Sequence, residues 1–153
     1  FGEGIKMSLV KLVDLPSFGD DRGGFVAIES SQSIPFEIKR LYYIFNTSGN
    51  KSRGFHAHIN LKQIAVCVKG SCRFILDDGF HREEVILNSP TQGLMIESLT
   101  WREMHDFSED CVLLVLANSH YDENDYIRNY DEFLGSVKNK TIEGHVINLL
   151  KCY

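Results

Sequence analysis

Arg53-Gly54-Phe55-His56-Ala57-His58, followed by Gln63 and Gly70, is the stretch on which the reading of this chain turns. Side chains on a strand alternate between its two faces, so His56 and His58, two residues apart, project from the same side. Gln63 opens the next strand-like run and can turn its amide toward the same concave surface. Two imidazoles sharing a face fit proton transfer, because the imidazole pKa of about 6.5 lies near neutrality. Isolated histidines are more often satisfied members of a core. The shared face and the neighbouring Arg53 favour a functional reading of this pair.

Working outward, the surrounding chain is a series of short runs rich in Val, Ile, Leu, Phe and Tyr. They are Val10–Leu15, Phe25–Glu29, Ile38–Asn46, Gly54–His58, Gln63–Lys69, Cys72–Leu76, Glu84–Leu87, Gly93–Ile96, Arg102–Phe107 and Val112–Ala117. Turn signals separate them, among them Ser48-Gly49-Asn50, Lys69-Gly70-Ser71 and Asp77-Asp78-Gly79. Short strands at this spacing indicate an all-β sandwich or barrel. The pattern changes at 122–134, where Tyr126, Ile127, Tyr130, Phe133 and Leu134 recur at helical spacing behind an acidic start. One amphipathic helix packed on the sheet is expected there. Residues 1–153 read as one domain, with 1–6 as an attached remnant ahead of Met7 or a linker from a longer chain.

The composition narrows the function. Apolar residues make up 43% and charged residues 24%, as in globular proteins. Sixteen Lys and Arg against 21 Asp and Glu leave a net charge of −5, which argues against nucleic acid as the main partner. A small phosphorylated ligand needs only a local group of arginines. The longest strictly apolar run, Cys111–Ala117, is far shorter than the roughly 20 residues of a membrane helix, and no secretory segment is visible. A cytoplasmic protein without a membrane partner is expected. Cys67, Cys72, Cys111 and Cys152 form no CxxC and show no zinc spacing, so they read as reduced, buried thiols.

The HxH pair, then four residues, Gln63, six residues and Gly70, resembles the first signature of the cupin family. The resemblance implies a double-stranded β-helix, or jelly-roll barrel, with a short C-terminal helix. Metal-binding cupins carry Glu where Gln63 stands and a third His where Arg102 follows Trp101. The expected ligand set therefore reads His56, His58, Gln63, Arg102. A neutral amide and a permanent cation in two of four places argue for no metal and no cofactor.

The match is closer still to the dTDP-4-keto-6-deoxyglucose 3,4-ketoisomerases. It rests on Arg53–His58, on Ile38–Phe45 (IKRLYYIF), on Trp101–Phe107 (WREMHDF) and on Tyr121–Arg128 (YDENDYIR). That resemblance implies metal-free isomerisation of a dTDP-linked keto sugar, in the biosynthesis of 3-amino-3,6-dideoxy sugars for surface polysaccharides such as O-antigen. It also implies a homodimer with exchanged N-terminal strands. The chemistry places His58 as principal base, with His56 as its acid/base partner or orienter. Tyr42 or Tyr43 would relay a proton or donate to an oxygen; adjacent strand residues face opposite ways, so only one should enter the barrel. Arg53 and Arg102, and in this family the loop carrying Arg22, would bind substrate beside Gln63. Rival readings are a dTDP-sugar epimerase, a metal-dependent cupin enzyme and a non-catalytic sugar-nucleotide-binding protein.

Overall fold

The computed structural model describes residues 8–152; the expectation for residues 1–6 lies outside them. Twelve short strands and one long helix follow in order. They are β1 (Lys11–Asp14), β2 (Ser17–Asp20), β3 (Gly23–Val26), β4 (Arg40–Ile44), β5 (Arg53–His58), β6 (Gln63–Lys69), β7 (Cys72–Asp77), β8 (Arg82–Leu87), β9 (Gln92–Ile96), β10 (Trp101–His105), β11 (Val112–Ala117), β12 (Tyr126–Ile127) and α1 (Tyr130–Leu150). One antiparallel sheet has the order β1-β9-β6-β11-β4 and the other β12-β5-β10-β7-β8; β2 and β3 form a separate hairpin.

Ala65, Cys67, Leu94, Leu113 and Val115 of the first sheet share one buried cluster with Cys72, Phe74, Leu76 and Met104 of the second. The two sheets therefore face each other across this core, as expected of a cupin-like jelly roll. Ile64, Val66, Met95 and Leu116 point the other way and are covered by Leu15, Ile34 and Phe36. The switch of face at each successive residue of β6 follows from the period-two alternation of a strand.

All ten expected strands are present, most with ends shifted by one or two residues; the Phe25–Glu29 run moves to β3. The helix expected over 122–134 is a different object. Asp122 accepts a hydrogen bond from the Asn124 amide and starts a single 3₁₀ turn, Glu123–Asp125. Tyr126 and Ile127 then run extended, pairing with His58 and Ala57 as an added edge strand. The helix begins only at Tyr130, after Asn129 caps it by accepting from the Glu132 amide at 3.1 Å, and runs for 21 residues. Helical spacing in the sequence was real from Tyr130 onward, but strand pairing won at Tyr126–Ile127.

α1 seats Phe133 and Val137 against Ala57, Trp101 and Ile127. It therefore packs behind β5, on the face opposite His56 and His58. Phe133 is fully buried, whereas Ile142 is 54% exposed. Emptying the Phe133 site should cost about 3–5 kcal/mol of folding free energy in urea denaturation. Ile142→Ala on the projecting part of the same helix should cost no more than about 0.5 kcal/mol.

Candidate active site

A cavity of about 670 Å³ opens on the interior of the barrel, lined by Arg40, Tyr42, Ile44, Arg53, His56, Met104, Tyr121, Tyr126 and Arg128. β5 reaches it through a bulge: the register against β10 shifts between Arg102, opposite His56, and Glu103, opposite Gly54. Gly54 has φ +90°, and a Cβ there would lie 2.9 Å from the Arg102 carbonyl oxygen, so glycine is required. Phe55 also has positive φ and turns outward against His105. The bulge leaves His56 and His58 on the inner face with their rings 4.9 Å apart.

The floor is a hydrogen-bonded chain. Arg102 is 2% exposed; it donates to Gln63 Oε1 and, at 3.1 Å, to the Thr100 carbonyl. A guanidinium only donates, so Gln63 must turn its oxygen toward it. The Gln63 Nε2 then donates to the Tyr42 hydroxyl at 3.1 Å. Tyr42 accepts that bond and keeps its own proton for a group in the cavity. Burial raises the Tyr42 pKa above the ordinary phenol value, so the proton is present at neutral pH. With Arg102 tied to Gln63, the two places where metal-binding cupins carry Glu and His hold an amide and a fixed positive charge, and this donor set does not suit a divalent ion.

The two histidines differ in access. His56 lines the cavity. His58 is 1% exposed, with the Tyr126 ring 4.3 Å away and Asp125 Oδ2 3.1 Å from Nδ1. Asp125 is itself fixed, accepting from the Asn60 amide at 2.9 Å. The carboxylate selects the tautomer that carries its proton on Nδ1. Burial first, and then the Arg102 charge, hold both imidazoles below the ordinary value: His56 at about 4 and His58 lower. Both rings are neutral at pH 7, the form that accepts a proton. Of the two expected catalytic histidines, His56 lines the cavity, whereas the strand carries His58 past it and under Tyr126.

The other expected residues separate cleanly. Tyr42 faces inward, whereas Tyr43 is 59% exposed on the outer face beside Phe45. Arg53 lines the cavity, while Arg102 and Gln63 lie beneath it rather than in its wall. Arg22 does not join the cavity of its own chain. It sits in the exposed β2–β3 turn with its guanidinium on Asp20. Arg40 and Arg128, equally readable as surface residues, are both at the cavity. Arg40 stacks over Tyr42 and Tyr121, and Arg128 over Tyr126 with Glu123 holding it at 3.0 Å. Asp125, Tyr121 and Tyr126 were missed, because the acidic run that holds Asp125 looked like a helix start. His105 faces away, bonded to Ser52 and Glu103, as its position three residues past Arg102 requires.

These pKa displacements make stability depend on pH. Between about 4 and 6.5 the unfolded chain binds protons that the folded histidines refuse, so stability falls as pH drops through that window. Urea midpoints at pH 7 and pH 5 should show this loss, and a His56→Asn, His58→Asn double variant should show a smaller one. An unchanged pH difference in the double variant would contradict the assignment.

The chain matches the family model described as FdtA (WxcM-like, C-terminal) over residues 8–138. It is 55% identical over 123 residues to a TDP-4-oxo-6-deoxy-α-D-glucose-3,4-oxoisomerase of Aneurinibacillus thermoaerophilus, covering 80% of this chain and 88% of that one. A TDP-quinovose 3,4-ketoisomerase of Campylobacter jejuni superposes with TM-score 0.80 at 49% identity, over 84% of this chain and 98% of its own. A 3,4-ketoisomerase of Thermoanaerobacterium thermosaccharolyticum, solved as a His-to-Asn variant with TDP-4-keto-6-deoxyglucose, superposes with TM-score 0.84 at 42% identity, over 88% and 97%. The barrel, the histidine pair and nearly the whole of β1 to the first turns of α1 fall within these matches, and the chain belongs to the FdtA family.

Proposed function

We propose that this protein is a TDP-4-keto-6-deoxyglucose 3,4-ketoisomerase that moves the carbonyl from C4 to C3 of the sugar without a metal. The observation that carries the reading is one cavity lined by both His56 and Tyr42 whose wall also holds Arg40, Arg53 and Arg128. The family relatives act on this class of sugar nucleotide, and an acidic chain that gathers three guanidiniums at one opening suits a pyrophosphate.

The C3 proton, acidified by the neighbouring C4 carbonyl, passes to the imidazole of His56. The C3–H electron pair forms the C3–C4 double bond, and the C4 oxygen takes a proton from Tyr42. The C3 hydroxyl proton then leaves for the tyrosinate, the C3 carbonyl forms, and C4 receives a proton from the His56 imidazolium after its N–H has exchanged with water in the cavity that His56 lines. His58, fixed by Asp125, positions the ring of His56 and supplies no direct contact. Arg102 stabilises developing negative charge from below and keeps Tyr42 aimed through Gln63.

In D2O the 3-keto product should carry deuterium at C4. His56→Asn should lower kcat by at least about 10²-fold with TDP binding retained. His58→Asn should cost less in kcat. Product formation without label, or a greater kcat loss for His58→Asn than for His56→Asn, would overturn the mechanism; binding without turnover in the unaltered protein would instead favour a sugar-nucleotide sensor. The product suits amination by a separate enzyme on the way to a surface polysaccharide, in the cytoplasm. Among the described residues no helix is long and apolar enough to cross a membrane.

A homodimer completes the reading. Tyr43 and Phe45 are exposed together on the outer side of the β4 segment, and Phe18 and Phe25 on the β2–β3 hairpin. β1 pairs here with β9 of its own chain; exchange would make the same pairing between two chains and could bring Arg22 toward the partner's cavity. Light scattering should give a dimer, and Tyr43→Glu with Phe45→Glu should shift it toward monomer; a monomeric unaltered protein would refute it.

A further inference from the structure

We propose that Cys67, Cys72 and Cys111 form a three-thiol site for a trivalent thiophilic metalloid of the arsenite class. No spacing in the sequence brings these residues together; the fold does. Cys67 lies near the end of β6, Cys72 begins β7, and Cys111 directly precedes β11. Their Sγ atoms all lie within 4.8 Å of one another, and Cys67 and Cys111 are 3.5 Å apart. Metal–thiolate bonds of about 2.3 Å meeting at roughly 100–120° separate their sulfurs by about 3.5–4.0 Å. Small side-chain rotations would therefore bring all three sulfurs to one centre.

The backbone around them is fixed. The turn after β6 is held by Ser71 N donating to Ser108 Oγ and Ser108 N donating to the Ser71 carbonyl, each at 2.9 Å. Cys111 N donates to the Ser108 carbonyl at 3.1 Å. Gly70, at φ +70°, leaves no room for a Cβ, which would lie 2.8 Å from Cys111 Cα. The thiols lie beneath this turn, so entry of a small neutral solute requires it to open.

The surroundings select the ligand. Cys67, Cys72 and Cys111 are at most 1% exposed and pack with Phe74, Phe107 and Leu113. A divalent ion on three thiolates would leave a net negative charge in this apolar core, which is costly. Arsenous acid condenses with three neutral thiols. Three As–O and three S–H bonds break, three As–S bonds form and three waters leave, with no change in oxidation state and no net charge. The arsenic lone pair takes the fourth position, so no further ligand is needed. Cys152 is exposed and lies beyond the C-terminal end of α1, and a single thiol lacks this chelation.

The test uses the full chain carrying Cys152→Ser, with arsenite added to the native protein and, separately, during refolding from urea. Native mass spectrometry should show one added arsenic with three hydrogens lost, and X-ray absorption should show three sulfur neighbours. Cys72→Ala should weaken arsenite binding by at least about tenfold. No adduct under either condition, or an adduct with fewer than three sulfurs, would overturn the proposal. The sulfur count in the Cys152→Ser protein decides the matter even where a core variant fails to fold.

Discussion

A permanent positive charge inside the barrel is the constraint around which the site is arranged. Arg102 is almost wholly removed from solvent, and a charge so placed must be hydrogen-bonded and surrounded by polar groups. Gln63 and the Thr100 carbonyl receive it directly, while the Asp125 carboxylate brings compensating negative potential. The orientation of the Gln63 amide follows, and with it the direction of the Tyr42 hydroxyl proton. The same charge disfavours protonation of His56 and His58 and disfavours a divalent cation between them. The amide of Gln63 and the guanidinium of Arg102 together leave the barrel interior with a fixed positive charge.

Much of this was legible in the sequence because strands write their alternation plainly. The inner and outer faces of β5, β6 and β10 follow from parity alone, which assigns His56, His58, Gln63 and Arg102 inward and His105 outward. Parity also separates Tyr42 from Tyr43. What parity could not supply was depth. His56 and His58 share a face, yet only the fold shows that one meets the cavity and the other ends beneath Tyr126. The chain after Asp122 was misread for a related reason: its apolar residues satisfy a helical period, and the pairing of Tyr126 and Ile127 with β5 is a long-range contact that local spacing does not encode.

The position of Arg22 marks another limit of reading along one chain. A loop can carry the residues of a familiar motif and still lie away from its own cavity, held in a local ion pair with Asp20. Conversely, Asp125 belongs to no motif that its neighbours announce, yet it fixes the proton of His58. Residues that orient others are hard to see in sequence because their role depends on a partner distant in the chain.

Ala57 lies between the two histidines and points the opposite way, fully buried against Trp101, Ile127 and Phe133. Its single methyl group is all that separates the β5 backbone from the packing of α1. The residue acts as a spacer that sets the thickness of the wall behind the imidazoles. A bulkier side chain there would move the strand and tilt both rings together, however far the change lay from substrate. The smallest side chain of the histidine motif thereby sets the depth of the cavity from outside it.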